Sequence, residues 1–229
     1  PAMTVSGPFK LDAQLGGAAP RFELQAELDG HLSADVSRAV RVRLAADGSP
    51  DRLNLNELLA RAGAAQLNLS GTARRSAAMA PWQLEGKARL NDFDPLPWFP
   101  GTPQSHWRTG PHRFNADAEF ALELPGIDAP LASLGDWLEW LPTLKGQARL
   151  ALKPSMVAGV DVQGEATLRS QPGAPTQLTA RIDAAGNLLN AQGHWARCVQ
   201  GRDDAWTFDV KASQIGKLAP WFVLGGVPA

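Results

Sequence analysis

From Phe114 to Leu124 the chain alternates. Phe114, Ala116, Ala118, Phe120, Leu122 and Leu124 are apolar, and four of the five residues between them are polar. Successive side chains of a strand point to opposite faces, so this spacing predicts a strand with one dry and one wet face. The same period recurs at residues 9–15, 22–28, 40–44, 144–152, 160–168, 178–182 and 206–212. Turn signals separate the runs: Gly16-Gly17, Asp47-Gly48-Ser49-Pro50, Pro125-Gly126, Gln171-Pro172-Gly173, Gly186-Asn187 and 201–204. Glycine supplies positive φ and proline presets it, so these mark tight reversals. About a dozen strands are expected, mostly antiparallel neighbours joined by hairpins. Residues 55–62 fit a strand better than a helical turn. Leu131, Leu134, Trp137, Leu138 and Leu141 instead repeat near 3.6, which predicts one short helix near 131–141 between Pro130 and Pro142.

Composition narrows the function more than the fold. The 229 residues carry 22 Lys+Arg against 23 Asp+Glu. This balance argues against a nucleic-acid binder, which needs a basic excess. A single cysteine excludes an internal disulfide and a multi-cysteine zinc site. No apolar run reaches the ~18 residues that span a bilayer as a helix. Beginning in mid-pattern at Pro1, the chain reads as a piece of something longer.

Self-similarity appears at a long period. Leu67-Asn68-Leu69-Ser70-Gly71 aligns with residues 189–193, Trp82 to Ala88 with 206–212, and Leu96-Pro97-Trp98-Phe99 with Ala219-Pro220-Trp221-Phe222, at offsets of 122, 124 and 123. Common order and nearly constant offset indicate a duplicated unit. The expected organisation is one continuous sheet, 1–229, containing two similar units at approximately 1–105 and 106–229.

Half-apolar strands in tandem units resemble the TamB and AsmA-like envelope proteins. The residues that carry the resemblance are the Leu-x-Leu-x-Gly strand at Leu67 to Gly71 and the Trp-led strand followed by Pro-Trp-Phe-Pro-Gly at Pro97 to Gly101. Its second copy lies at Pro220 to Gly225, and a restart Leu-Lys-Gly-x-Ala-x-Leu at Leu144 to Leu150. The resemblance covers most of the chain, through degenerate motifs. It implies an elongated sheet curled lengthwise into a groove, apolar inside and polar outside. It also implies a periplasmic location, with a full-length parent anchored in the inner membrane. The implied work is movement of phospholipid towards the outer membrane, or assembly of outer-membrane proteins with a barrel partner there. The chain departs from the full pattern in lacking the N-terminal anchor and the partner-binding C-terminal end.

On this reading the groove lining comprises Phe114, Ala116, Ala118, Phe120, Leu122, Leu124, Leu144, Ala148, Leu150, Val160, Val162, Leu168, Ile182, Trp206, Phe208 and Val210. Trp98, Phe99, Trp221 and Phe222 form a plug or lip at the unit ends. The cargo is an acyl chain, the alternative being unfolded outer-membrane strands received at sheet edges. Inward Ala and Gly residues fit a hollow groove, and they would equally let a second sheet pack closely in a sandwich.

Other constellations carry less. His106 and His112 lack further ligands, as do His194 and Cys198, which flank Trp195. Asp92, Asp94, Asp203 and Asp204 read as turn residues. Trp82, Trp195 and Trp206 read as core or groove floor, and Trp137 and Trp140 as a cap from the helix. No nucleophile elbow, dinucleotide fingerprint or phosphate loop occurs. The chain therefore reads as a non-enzyme, without cofactor or metal, whose partners are lipid and a barrel protein, not nucleic acid.

Overall fold

The alternating runs form strands that pair in chain order. The computed structural model describes residues 2–6, 9–14, 20–33, 38–78, 80–98, 110–124, 145–172, 174–195 and 204–222. These include thirteen strands: β1 (Ala2–Ser6), β2 (Phe9–Gln14), β3 (Arg21–Ser33), β4 (Arg38–Ser49), β5 (Arg52–Ala62), β6 (Ala65–Arg74), β7 (Trp82–Phe93), β8 (Phe114–Leu124), β9 (Lys145–Val157), β10 (Val160–Ser170), β11 (Thr176–Ala184), β12 (Asn187–Trp195) and β13 (Ala205–Ala212). All belong to one open, curled, antiparallel sheet. From β3 onward each strand pairs with its successor; β1 and β2 share the other side of β3, at its two ends. Among the described residues no second sheet lies over the first, so the sandwich alternative is set aside. The accessible surface, 15093 Å², agrees: a compact globule of this mass would expose about 10,000 Å².

Strand 55–62 lies within β5, as its pattern suggests. The helix expected near 131–141 falls outside the described residues. The short helix that is described is a 3-10 turn, Ile215–Leu218, running into one helical turn, Ala219–Phe222.

Three turn assignments change. Asp47 and Gly48 are still paired in β4, and only Pro50 and Asp51 turn. Asp47 is held there by Asn54 and Asn56, whose side-chain amides donate to its two oxygens at 2.7 Å. Asn187 opens β12, and the preceding turn is Ala185-Gly186. Asp92 lies inside β7 with φ 50, at a register shift between Leu90 and Phe93, where its amide donates to Asn115 Oδ1. One extra residue in one strand leaves such a position unpaired and bends the strand. Asp94 does form the expected turn, accepting the Leu96 amide at 3.0 Å.

The strand ends define two rims. At the lower rim β5 to β13 end or begin with Ala62, Ala65, Phe93, Phe114, Val157, Val160, Ala184, Asn187 and Ala212. At the upper rim Arg21, Arg52, Arg74 and Lys145 occupy the corresponding positions of β3, β5, β6 and β9, and Trp82, Leu124, Trp195 and Ala205 those of β7, β8, β12 and β13. The best-buried packing belongs to the lower rim. There Trp98 and Val42 lie against Val40 and Ala62. Six strands on, Trp221, Leu218 and Leu152 lie against Val160, Val162 and Ala184. Val162 and Ala184 stand 122 positions after Val40 and Ala62, and Trp221 stands 123 after Trp98. The pairing does not repeat as strictly. Gly71 faces Gly86, whereas Gly193 faces Trp206. Seven residues join β6 to β7 and nine join β12 to β13, and connection length helps to set register.

Candidate functional site: a continuous apolar face

Register decides what each face presents. Taken across the strands from β3, the partners Ala26, Leu44, Leu58, Leu69, Ala88, Ala118, Leu150, Ala166, Ala180, Ala191 and Phe208 form one unbroken row. A second row reads Leu24, Ala46, Leu55, Gly71, Gly86, Phe120, Ala148, Leu168, Leu178, Gly193 and Trp206. A third reads Leu28, Val42, Ala60, Leu67, Leu90, Ala116, Leu152, Gly164, Ile182, Leu189 and Val210. No polar side chain enters any of the three. Register shifts at β4–β5, β5–β6, β7–β8 and β9–β10 absorb the extra residues and keep the apolar set on one side. With neighbouring strands ~4.8 Å apart, the rows run for about 50 Å.

The second row contains two glycines where an aromatic ring lies across the neighbouring strand. A Cβ on Gly86 would stand 2.6 Å from the Phe120 ring, and one on Gly193 would collide with the Trp206 ring. Glycine leaves these rings lying flat over the backbone of the next strand, an arrangement known to support glycine in sheets. Trp206 also meets Trp195 edge-on at 5.1 Å and stacks on Phe208 at 6.4 Å.

The other face is charged and internally paired. Arg41 bonds Asp29 at 2.9 Å, Arg149 bonds Glu165 at 3.0 Å and Lys87 bonds Glu119 at 3.0 Å, each across neighbouring strands. Asp117 takes Arg89 at 2.9 Å and Lys153 at 3.4 Å. Hydrogen bonding from the Arg89 guanidinium, followed by its charge and the Lys153 ammonium, holds the Asp117 carboxyl below the usual range. The two Asn amides do the same for Asp47. Hollows open on this face, one of about 930 Å³ beside Asp12, Arg21, Asp47 and Arg52, another of about 600 Å³ beside Lys87, Glu119 and Arg149. Charged and polar side chains predominate beside both, so they are wet clefts between polar ridges. Among the described residues no cluster of His, Cys, Asp and Glu is arranged to hold a metal ion.

The structure places fifteen of the sixteen expected lining residues on the apolar face; Leu144 lies outside the described residues. They are not equally accessible. Val160 is 2% exposed and belongs to the lower-rim core, whereas Leu150 is 46%, Phe208 63% and Val210 64% exposed. Of the unit-end aromatics, Trp98 and Trp221 cover the lower rim. The Trp221 indole also donates to the Val157 carbonyl at 2.8 Å. Phe99 and the Phe222 side chain lie outside the described set, as do His106, Cys198, Trp137 and Trp140. His112 accepts the Ala158 amide at 3.3 Å, a bond within the fold. The residues β3 to β6 add to the floor, notably Leu44, Leu58 and Leu69, were present in the sequence pattern but were not singled out. Period 2 marks Leu44 and Leu69 as clearly as it marks β8, whereas Leu58 follows Leu55 by three residues and comes into line through the register shift in β5.

No family model matches the chain, and neither the curated proteins nor the solved structures contain a match.

Proposed function

We propose that the chain is a segment of a periplasmic, TamB- or AsmA-like envelope protein whose apolar face shields and conducts phospholipid acyl chains between the inner and outer membranes. The parent protein would be anchored in the inner membrane and would meet a barrel partner at the outer one. The observation that supports this reading is the three unbroken apolar rows on a face over which no second sheet lies among the described residues. Each methylene in water costs about 0.8 kcal/mol, so an unshielded two-chain lipid meets a barrier of tens of kcal/mol. A floor of equivalent apolar steps lowers that barrier everywhere and forms no deep well in which cargo would stay.

The test is transfer of a fluorescent phospholipid between donor and acceptor vesicles. The chain is expected to accelerate transfer, and Leu150→Arg to reduce the acceleration at least tenfold with strand content unchanged by circular dichroism. Glu119→Gln, on the charged face, should leave it alone. No acceleration by the unmodified chain, or full acceleration by Leu150→Arg, overturns the reading. A second reading, a scaffold that receives outer-membrane protein strands, draws support from β13, an edge strand of eight residues with Phe208 and Val210 exposed. It expects cross-links from an unfolded barrel precursor to map to β13 and not to β6–β9.

A further inference from the structure

β1 and β2 lie along β3 as one strand. Their partners fall in a single register, from Ala2 opposite Ser33 through Phe9 opposite Ala26 to Gln14 opposite Arg21, with no shift between them. The sheet is therefore twelve strands across, and among the described residues its open edges are β1 with β2 on one side and β13 on the other. An even number of antiparallel strands leaves the two edge strands running in opposite directions. A second copy can thus lay β2 antiparallel against β13 with Phe9, Leu11 and Ala13 on the same side as Trp206, Phe208 and Val210. No proline or register shift interrupts β13, and an uninterrupted edge offers its free amides and carbonyls to another strand. The apolar side chains there lack a neighbour: Leu11 in β2 is 53% exposed, Phe208 and Val210 in β13 more so.

The chain already contains one junction of this kind. β8 opens the second unit and joins it to the first by pairing with β7, from Trp82 opposite Leu124 to Ala88 opposite Ala118. β2 meets its following strand as β8 does. Phe9 faces Ala26 in Gln25-Ala26-Glu27-Leu28, and Phe120 faces Ala148 in Gln147-Ala148-Arg149-Leu150. A leucine comes two residues after each phenylalanine, Leu11 and Leu122. β13 in turn holds the place of β7. Trp98, just after β7, packs on the lower rim and leaves the β7 edge to β8, and Trp221 packs likewise after β13. From this we infer that β13 pairs with β2 of a second copy of this chain, so that copies join end to end with their apolar faces continuous. The inference follows from strand direction, facing and the repeat, and does not rest on what the face carries. The contact is heterologous, so each added copy brings a further free edge and association does not stop at two.

The experiment is sedimentation velocity on the 229-residue chain from micromolar to millimolar concentration. The mass is expected to rise beyond twice the 24.4 kDa of one chain. Proline blocks an edge because it has no amide to donate. Adjacent residues of an edge strand send their amides to opposite sides, so proline is placed in turn at Thr207 and Phe208, and in turn at Lys10 and Leu11. The variant of each pair that keeps its strand content by circular dichroism is used. Each blocked chain by itself is expected to stay at the single-chain mass, and an equimolar mixture of the two to form a dimer and stop there, one partner supplying β13 and the other β2. An unmodified chain that stays at the single-chain mass throughout overturns the inference. Dimerisation of the β2-blocked chain by itself also overturns it, because β13 would then be pairing with β13. Association that neither block affects does the same, by placing the contact on the apolar faces. If neither proline of a pair folds, cross-linking of mixed light- and heavy-isotope copies of the unmodified chain decides. Links from Lys10 to Lys211 between copies support the junction, and their absence overturns it.

Discussion

Gly86 and Gly193 exert their effect through what lies on top of them. A side chain at either site would lift the Phe120 or Trp206 ring off the neighbouring strand. Gly86→Val is therefore expected to destabilise the chain by about 1–3 kcal/mol, read as a lower urea midpoint. Ala185 poses the opposite case. It turns the β11–β12 hairpin with φ 52, followed by Gly186 with φ 87, the geometry that Asn-Gly fills best. Ala185→Asn should raise the midpoint, by roughly 0.5–1 kcal/mol given the cost of a left-handed alanine. Asp117 gives the pH dependence. Its folded carboxyl is held low by Arg89 and Lys153, so its contribution is complete above the unfolded value near 4 and is lost as pH falls through the folded one. Urea midpoints between pH 6 and pH 2 should decline on the acid side, and Asp117→Asn should make that decline shallower.

Elements differ in what anchors them. The β9–β11 ends at the lower rim are anchored from outside by Leu218 and Trp221, and the β12 start is tied by Asn187, which accepts the Gln214 amide at 2.8 Å and donates to its carbonyl at 3.0 Å. Trp221→Ala should therefore speed amide exchange in the β9–β10 and β11–β12 turns and leave the β5–β6 turn, beside Trp98, unaffected. Val160→Ala should cost about 2 kcal/mol from lost methyl burial and the cavity left behind. Val210→Ala, on an exposed site, should stay within about 0.5 kcal/mol. Strand existence and facing were legible in the sequence because the pleat imposes period 2 locally, as at β8. The extent of β4 past Asp47 was not legible, because it depends on Asn54 and Asn56 arriving from the next strand. Nor was the special role of the lower rim: Trp98 and Trp221 stood out in the repeat, yet the residues beneath them are set by pairings far apart in sequence.

For the whole molecule, the apolar rows were readable strand by strand, but their continuity depends on register, which is a property of pairs. Leu44, Leu58 and Leu69 align only because the shifts in β4–β5 and β5–β6 compensate. The single-layer arrangement also has a solution signature. Small-angle scattering should report a radius of gyration well above the ~17 Å of a compact 229-residue globule, whereas a value near that figure would mean that the two halves fold face to face.

Because every strand from β4 onward pairs only with its sequence neighbours, the length of the ribbon and its cross-section are set independently. Removing or inserting one whole hairpin, two strands at a time, would return the chain to the same rim heading in the same direction, with apolar residues still on the apolar face. Such a polymer-like architecture can be lengthened by tandem gene duplication with no redesign of its apolar face.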